Sequence, residues 1–262
     1  MFDYHLHTSH SFDAHTPPAE MLEAAARAGL REICFTDHVD LDGSDFPLAD
    51  LHALSEDVRT LQGGPVAVRF GAEFSLADEA CASRSREYLK GHKPDFIIGS
   101  AHLMDGVDPY EEKQIFEQPK ETVYRHYLEC LNRAIRTDFP FSVLGHYDYI
   151  AKCAAYADRS FSLSSAPELF DEIFTFLARN GKGIEINTAA WKDDPAWGLD
   201  ILKRYRACGG VFVTVGSDAH VPERVGNRIS EALDMARAAG IPYVATFRQM
   251  EPVLHPLSSL SV

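Results

Sequence analysis

The sequence predicts an α/β fold, most simply a barrel formed by one domain over residues 1–262. Short runs rich in Val, Ile and Phe alternate with amphipathic segments along the whole chain, which is the pattern of repeated strand–helix units. The connections are short, and 262 residues is a length that such barrels commonly reach. A doubly wound sheet is the alternative, but it would place fewer strand ends around a single point.

The first half of the chain contains four predicted strands. A strand at 2–5 is followed by a helix at 19–28, which has proline in its first turn and ends at Gly29. The other strands are predicted at 31–35, 66–70 and 95–99, with helices at about 48–61 and 83–90. An Asp-rich polar loop separates the second strand from the helix that follows it.

The second half continues the alternation. Its longest helix is predicted at about 120–136, followed by a strand at 141–144. Ser165 and Glu168 form a capping box around Pro167, opening a helix that runs to Gly181. The remaining elements are strands at 183–186, 211–215 and 242–247 and helices at about 196–207 and 227–239. The total is seven or eight strand–helix units.

Composition excludes several classes of protein. A formal net charge of −14 argues against a protein that coats nucleic acid by neutralising phosphates. It still allows a small phosphorylated substrate, because bound divalent cations would reverse the potential locally. No stretch approaches the roughly 20 apolar residues that cross a bilayer. Five cysteines without a C-x-x-C pair, and no signal peptide, predict a reducing cytoplasm. Composition does not indicate the oligomeric state.

Residues that bind metals recur where the apolar runs end. In chain order the motifs are His5-x-His7, Ser11-x-Asp13, Asp37-His38, Glu73, Ser100-x-His102, Gly145-His146 and Asp218-x-His220. The ends of parallel strands in a barrel share one face, which is where such folds place their chemistry. The motifs therefore predict a site for several metal ions at that face.

Two of these motifs share the same spacing. His5 and His7 are two residues apart, so both rings point to one side if the strand continues through them. Asp218 and His220 repeat the arrangement after Gly216, a residue that permits close backbone approach. Either pair alone is equally consistent with a solvated strand end. The recurrence favours ligands.

Imidazole and carboxylate donors without thiolate suit Zn²⁺, Mn²⁺ or Fe²⁺ better than Ca²⁺. The candidate ligands are His5, His7, Asp13, His38, Glu73, His102, His146, Asp218 and His220. They exceed what one tetrahedral ion needs and suffice for two or three ions that keep positions open for water and substrate. That is a catalytic arrangement.

Other residues have open or structural interpretations. His10 and His15 compete with Asp13 for a ligand position, and Asp37 either orients an imidazole or is a surface carboxylate. Four further histidines are interpreted as surface or structural: His52, His92, His126 and His255. Trp191 and Trp197 either form a wall of a substrate pocket or pack at the core or rim.

The ordered set of motifs from residue 5 to residue 220 resembles the polymerase and histidinol phosphatase (PHP) superfamily. The resemblance implies a distorted (β/α)7 TIM-like barrel with a trinuclear metal centre. It assigns His5, His7, Glu73 and Asp218 to one ion, Glu73, His102 and His146 to a second, and Asp13, His38 and His220 to a third. Residues 100–106 and 185–188 look like the histidinol-phosphatase branch.

One departure from that branch concerns phosphate binding. The branch usually supplies an arginine after the Gly-His motif, whereas here residues 147–152 end in Lys152. Lysine binds phosphate as a point charge without the bidentate fork of arginine. Arg159 and Arg228 are the other candidates.

The resemblance implies metal-dependent hydrolysis of a small phosphate monoester, with L-histidinol phosphate as the leading substrate. Divalent cations bind phosphate and lower the pKa of a bound water, and Lys152 or an arginine stabilises the phosphate charge. Asp218 or His220 would relay a proton to the leaving oxygen if not fully committed to metal. The acidic loop residues Asp42, Asp45 and Asp105 either attract the substrate amine or are solvated loop charges, and the second role is the favoured one for each.

Three alternatives remain. The nearest is a PHP-type phosphoesterase acting on a nucleotide or sugar phosphate. An amidohydrolase-type barrel also begins with His-x-His, but its usual bridging lysine has no evident counterpart at a strand end here. The third is a metal-binding domain without enzymatic activity.

Overall fold

A computed structural model describes residues 1–189 and 198–260, and in it strands and helices alternate along most of the chain. The strands are β1 (Phe2–Leu6), β2 (Glu32–Phe35), β3 (His38–Val39), β4 (Ala67–Ser75), β5 (Phe96–Ser100), β6 (Val143–Leu144), β7 (Gly183–Asn187), β8 (Phe212–Gly216), β9 (Tyr243–Arg248) and β10 (Glu251–Pro256). The helices are α1 (Pro18–Arg27), α2 (Leu51–Thr60), α3 (Glu79–Leu89), α4 (Lys120–Ala134), α5 (Tyr149–Cys153), α6 (Pro167–Arg179), α7 (Leu199–Ala207) and α8 (Ile229–Ala238).

The strands form a mostly parallel sheet in the order β1-β2-β4-β5-β6-β7-β8, and β3 adds to the C-terminal part of β4. The two ends of this run approach each other at a parallel bridge between Leu6 and Ala219. The N–H of Asp218 donates to the carbonyl of His5 at 2.9 Å, and the N–H of His7 donates to that of Ala219 at 3.0 Å. The predicted α/β class is confirmed, and the sheet is barrel-like, with β1 and β8 joined at their C-terminal ends.

A hairpin of β9 and β10 covers the opposite end of the strands. β9 pairs in parallel with β8 and antiparallel with β10. The ring of Phe247 lies 4.8 Å from that of Phe96 and 6.0 Å from that of Phe212, the first residues of β5 and β8. Its N–H donates to the hydroxyl of Tyr4 at 2.9 Å. The hairpin therefore closes the N-terminal end of the core and leaves the C-terminal end to the polar motifs.

Several details differ from the sequence predictions. β4 runs to Ser75, five residues beyond the predicted end at 70, so Glu73 lies inside a strand rather than after it. Gly71 allows this continuation, because a Cβ there would come within 2.6 Å of the Cys34 sulfur. The short helix α5 and the edge strand β10 were not predicted.

The predicted capping box at the start of α6 is wrong. The residue preceding the helix is Ala166, and no side chain caps the first turn. Glu168 instead forms an ion pair with Arg125 of α4 at 2.5 Å. By contrast, α3 begins at Glu79, four residues before the predicted start, because the carboxylate of Asp78 accepts the N–H of Cys81 at 2.8 Å.

The described residues can be compared with two expectations from composition, which concern membrane-spanning segments and disulfide bonds. Within residues 1–189 and 198–260, no helix combines the length and the apolar character needed to cross a bilayer. All five cysteines carry free thiols.

Candidate metal centre

The C-terminal ends of the parallel strands bring the nine candidate ligands into one continuous cluster. His5 lies in β1, His38 in β3 and Glu73 in β4, while the other histidines and Asp218 follow β1, β5, β6 and β8 directly. Asp13 comes from the loop between β1 and α1. Each of these side chains has at least one ring nitrogen or carboxylate oxygen within 3.3 Å of another member.

Glu73 lies at the centre of the cluster and is fully buried. Its carboxylate lies within 3.3 Å of ring nitrogens of four histidines, namely His5, His38, His102 and His146. The hydroxyl of Ser100 also donates to it at 2.6 Å. Burial alone would raise the pKa of Glu73, but the surrounding imidazoles hold it well below its ordinary value. The carboxylate is therefore an ionised acceptor that lies among ring nitrogens from four strand ends.

His7 lies at the other side of the cluster, between two rings. Its Nε2 atom is 3.1 Å from Nε2 of His5 and 3.2 Å from a carboxylate oxygen of Asp218. The rings of His38 and His220 stack on it at 4.3 and 4.1 Å. Burial, together with the neighbouring histidines, lowers the pKa of His7 well below its ordinary value. A neutral imidazole is the form that binds metals.

Asp13, rather than His10 or His15, reaches the cluster from the loop between β1 and α1. Its carboxylate lies 3.0 Å from Nε2 of His220 and 3.7 Å from Nε2 of His38. Burial would raise the pKa of Asp13, but the hydrogen bond to His220 and the nearby histidines lower it to about 2. His10 instead pairs with Asp57 at 2.8 Å, and His15 is exposed.

Several buried groups hold the rings in place from behind. The Nδ1 atom of His5 lies 2.6 Å from Glu185, and that of His102 lies 3.0 Å from Asp40. Behind His7, the hydroxyl of Ser11 lies 3.1 Å from Nδ1 and donates to Asp37 at 2.9 Å. A partner on one ring nitrogen fixes the tautomer and aims the other nitrogen at the centre.

Sequence reasoning missed Glu185 and Asp40 as residues of the site, although both carried a usable signal. Asp40 follows His38 at the same two-residue spacing as His5 and His7. Glu185 and Asn187 are polar residues two apart in a strand whose five residues are all buried. Alternate buried polar positions in a parallel strand indicate side chains that face a polar centre.

The donor set fits divalent metal ions. Three groups each offer one ligand atom per residue within 4.8 Å: His5 with His7 and Asp218, His7 with His38 and His220, and His38 with Glu73 and His102. The Nδ1 atom of His38 is buried and lies 3.1 Å from Glu73, but among the described residues no group meets it with hydrogen-bond geometry. Ring nitrogens that face each other or lack a partner are explained by cations between them, because a neutral ring nitrogen without a proton is a lone-pair donor.

A cavity of about 510 Å³ opens beside the cluster. Seven of the nine candidate ligands line it: Asp13, His38, Glu73, His102, His146, Asp218 and His220. The rest of the wall combines aromatic rings with carboxylates: Phe12, Phe46, Tyr110 and Tyr149, and Asp40, Asp42, Asp108 and Glu111. Among the described lining residues, Lys152 is the single lysine or arginine.

Lys152 lies at the end of α5 with its amine 2.6 Å from a carboxylate oxygen of Asp218. Burial would lower the pKa of this lysine, but the charge of Asp218 outweighs burial and raises it. The amine is therefore a permanent positive charge at the edge of the cluster, and it lines a cavity that several carboxylates also line.

The structure brings some predicted substrate contacts to the cavity and not others. Lys152 and Asp42 line it. Asp105 faces α4 instead, 2.6 Å from Arg133 and 2.7 Å from His126. Arg159 and Arg228 are not among the described residues that line the cavity, and Arg228 lies 3.6 Å from Glu231.

The remaining predictions concern residues away from the cavity. His255 lies in β10 with Nε2 2.8 Å from the hydroxyl of Thr246, and His126 pairs with Asp105 as above. His52 lies in α2 and is exposed. His92, in the loop after α3, is half-buried, with its ring 6.5 Å from that of Tyr88. Trp191 and Trp197 lie outside the described residues.

The resemblance of this chain to known proteins is not limited to these motifs. The PHP domain family matches residues 3–189. The histidinol-phosphatase of Lactococcus lactis subsp. lactis (strain IL1403) is 31% identical over 258 residues, which are 95% of each chain. A probable histidinol-phosphatase of Clostridium acetobutylicum is 29% identical over 243 residues, 90% of this chain and 92% of the relative.

A solved structure has the same fold. The crystal structure of histidinol phosphate phosphatase from Lactococcus lactis, complexed with zinc, L-histidinol and phosphate, matches with a TM-score of 0.87 and 28% sequence identity. The match covers 96% of this chain and 98% of the other. The likeness therefore extends over nearly the whole fold.

Proposed function

This chain belongs to the PHP domain family, and on that premise we propose that it hydrolyses L-histidinol phosphate to L-histidinol and phosphate. The observation that carries the proposal is the convergence of nine imidazole and carboxylate side chains beside a cavity that Lys152 lines together with acidic and aromatic residues. This combination suits a small phosphate monoester that also carries a cationic amine and a flat ring.

We assign the metal ligands as the family pattern places them. His5, His7, Glu73 and Asp218 hold one cation, Glu73, His102 and His146 a second, and Asp13, His38 and His220 a third. When bound, two or three Zn²⁺, Mn²⁺ or Fe²⁺ ions polarise the phosphate and supply a nucleophile from water near neutral pH. The short distances around Glu73 support its role as the shared carboxylate.

The protein's own groups bind and orient the substrate. The amine of Lys152 turns from Asp218 towards a phosphate oxygen and stabilises the charge on it. Asp218 or His220, which line the same cavity, would relay a proton to the leaving oxygen when its side chain is not fully committed to metal. Asp42 and the neighbouring carboxylates attract the ammonium group of the substrate.

The aromatic residues at the mouth of the cavity support a ring-bearing substrate. Phe12 and Phe46 stack in parallel with centroids 4.3 Å apart, and Phe12 also lies 5.4 Å from the ring of His38. A flat imidazole ring packs well on such a surface. The acidic rim disfavours the alternative substrates, nucleotides and sugar phosphates, because they add negative charge or lack the cationic amine.

The test measures phosphate release from L-histidinol phosphate and from a panel of nucleotide and sugar monoesters. Metal content is determined on the same sample before and after chelation. We expect preferential turnover of L-histidinol phosphate, loss of activity on chelation and recovery with Zn²⁺ or Mn²⁺. Preferential turnover of another ester would overturn the substrate assignment, and metal binding without turnover would favour a non-enzymatic domain.

We place the reaction in the reducing cytoplasm, because all five cysteines are free thiols.

A further inference from the structure

Glu185 is a buried carboxylate of the metal centre that is not one of the nine candidate ligands. It lies in β7 and is 1% exposed. One of its oxygens, Oε1, lies 2.6 Å from Nδ1 of His5 in β1. The other, Oε2, accepts the main-chain N–H of His146, which follows β6, at 2.9 Å. A single side chain thus contacts ligand residues from two different strands.

We propose that Glu185 is a positioning residue that holds His5 in the metal-binding tautomer and fixes the backbone of His146, and that both of its oxygens must act as acceptors. This inference rests on the proposed function, since it concerns the same metal centre. It goes beyond the ligand set, because it assigns a required role to a residue that would touch neither metal nor substrate.

The hydrogen-bond inventory requires a carboxylate here. A main-chain N–H only donates, so the group facing His146 must be an acceptor. Nε2 of His5 faces Nε2 of His7 at 3.1 Å and Glu73 at 3.2 Å, so a metal ligand at that nitrogen needs its lone pair free. The ring proton must then reside on Nδ1 and be donated to Glu185.

A glutamine of the same shape cannot meet both requirements. Its one carbonyl oxygen satisfies one partner, and its NH2 group then faces the other. If the NH2 group faces His146, two donors oppose each other. If it faces His5, Nδ1 must accept and the proton moves to Nε2, the nitrogen that points to the metal cluster. Either arrangement leaves a buried polar group unpaired or removes a ligand.

The packing of β8 provides independent support. A Cβ on Gly216 would lie 2.3 Å from Oε1 of Glu185 and 2.4 Å from Cβ of His5. The glycine therefore leaves the space that the contact between Glu185 and His5 occupies. Asn187, two residues along β7, donates towards both Glu185 and Asp218 at 3.3 Å, so the carboxylate is also held from the side.

The test compares Glu185→Gln with Glu185→Asp, because the two roles rank them in opposite order. If Glu185 acts as a double acceptor, Asp keeps the two oxygens on a shorter arm and retains metal better than Gln. If Glu185 only fills space, the isosteric Gln retains metal as the wild type does and Asp does not. Each purified protein is titrated with Zn²⁺ against a chelator of known affinity, which gives metal affinity and stoichiometry without using turnover.

We expect Glu185→Gln to lose about ten- to a hundred-fold in metal affinity, with a parallel fall in kcat and a smaller change in KM. Glu32→Gln is the matched control, because Glu32 is also a buried, hydrogen-bonded carboxylate but lies at the N-terminal end of β2. It should bind metal as the wild type does. Should the Gln variant fail to fold, the isosteric pair Glu185→Asp and Glu185→Asn poses the same comparison.

The outcomes separate this inference from the proposed function. Unchanged metal affinity in Glu185→Gln, with a wild type that binds metal and hydrolyses the ester, overturns the positioning role alone. A wild type that binds no divalent metal overturns both. A ranking of Glu, then Asp, then Gln supports the double-acceptor role whatever ester the enzyme prefers.

Discussion

The carboxylate of Glu73 has the ring nitrogens of four histidines within 3.3 Å. The residue is fully buried, so solvent water cannot compensate for the loss of its negative charge. We therefore predict that Glu73→Ala loses bound metal and at least about a hundred-fold in kcat/KM, since both follow from loss of a shared ligand. The fold should persist, because the main-chain hydrogen bonds of β4 do not depend on this side chain. Metal analysis, phosphate release and circular dichroism measure the three effects. Undiminished activity would remove the bridging role.

Lys152 offers a second test, because its amine is the one Lys or Arg charge among the described residues lining the cavity. Lys152→Ala should retain metal but raise KM, lowering kcat/KM by about ten- to a hundred-fold, as expected for a hydrogen bond to a charged group. Lys152→Arg keeps the charge and adds a bidentate fork, so it should retain more activity than Ala. Steady-state kinetics with metal analysis decide the point, and loss of metal from Lys152→Ala would instead assign the lysine to holding Asp218.

Among the secondary-structure elements, β2, β4 and β9 are tied together by Glu32 at the N-terminal end of the sheet. Its carboxylate accepts from Arg248 at 2.6 and 2.8 Å, from Arg69 at 3.2 Å and from the hydroxyl of Tyr4. Burial would raise the pKa of Glu32, but these donors outweigh burial and lower it. A folded pKa below the unfolded value gives stability that is present above the unfolded pKa and is lost as pH falls through the folded pKa.

We predict that Glu32→Gln lowers the free energy of unfolding at pH 7 by roughly 2 kcal/mol, since hydrogen bonds to a charged group are lost. The difference between variant and wild type should shrink below pH 4.5, the ordinary pKa of a glutamate. Urea unfolding at pH 7 and pH 4 measures both effects. The measurements use chelated protein, so that proton competition with metal at the histidines does not contribute. A difference independent of pH would show that the charge of Glu32 contributes nothing.

The elements also show which features the sequence could predict. His5-x-His7 and Asp218-x-His220 were found because each pair stands where an apolar run ends, although only His5 of these four residues lies within a strand. The extent of β4 was missed because Gly71 resembles a terminator, whereas it is needed for close approach to Cys34. Helix α5, only five residues long, and β10, with prolines at 252 and 256, carry no strong local pattern. Their conformations depend on tertiary contacts, such as those between the β9–β10 hairpin and the core.

Across the whole molecule, the order of the motifs was enough to predict that they converge, because parallel strands deliver their C-terminal ends to one face. Distances within that face were not predictable. The sequence could not show that Asp13, rather than His10, reaches His220, since this depends on a loop and on the pairing of His10 with Asp57. Nor could it show that Asp105 turns towards Arg133 and away from the cavity.

The same convergence makes the stability of the whole chain depend on metal. Without cations, buried imidazoles and carboxylates must satisfy one another, and His5 and His7 face each other through ring nitrogens 3.1 Å apart. A ligand that binds only the folded state stabilises it by roughly 2.7 kcal/mol per site at a hundred times its Kd. For a chain of this size each kcal/mol is worth about 2–4 °C. Saturating Zn²⁺ should therefore raise the Tm of chelated protein by about 5–10 °C for each site filled, as measured by calorimetry.

The Tm of His7→Ala should rise less on addition of Zn²⁺ than that of Glu32→Gln, because His7 lies within two of the candidate metal groups and Glu32 lies in none. Equal shifts in the two variants would mean that the stabilising ions bind elsewhere on the protein.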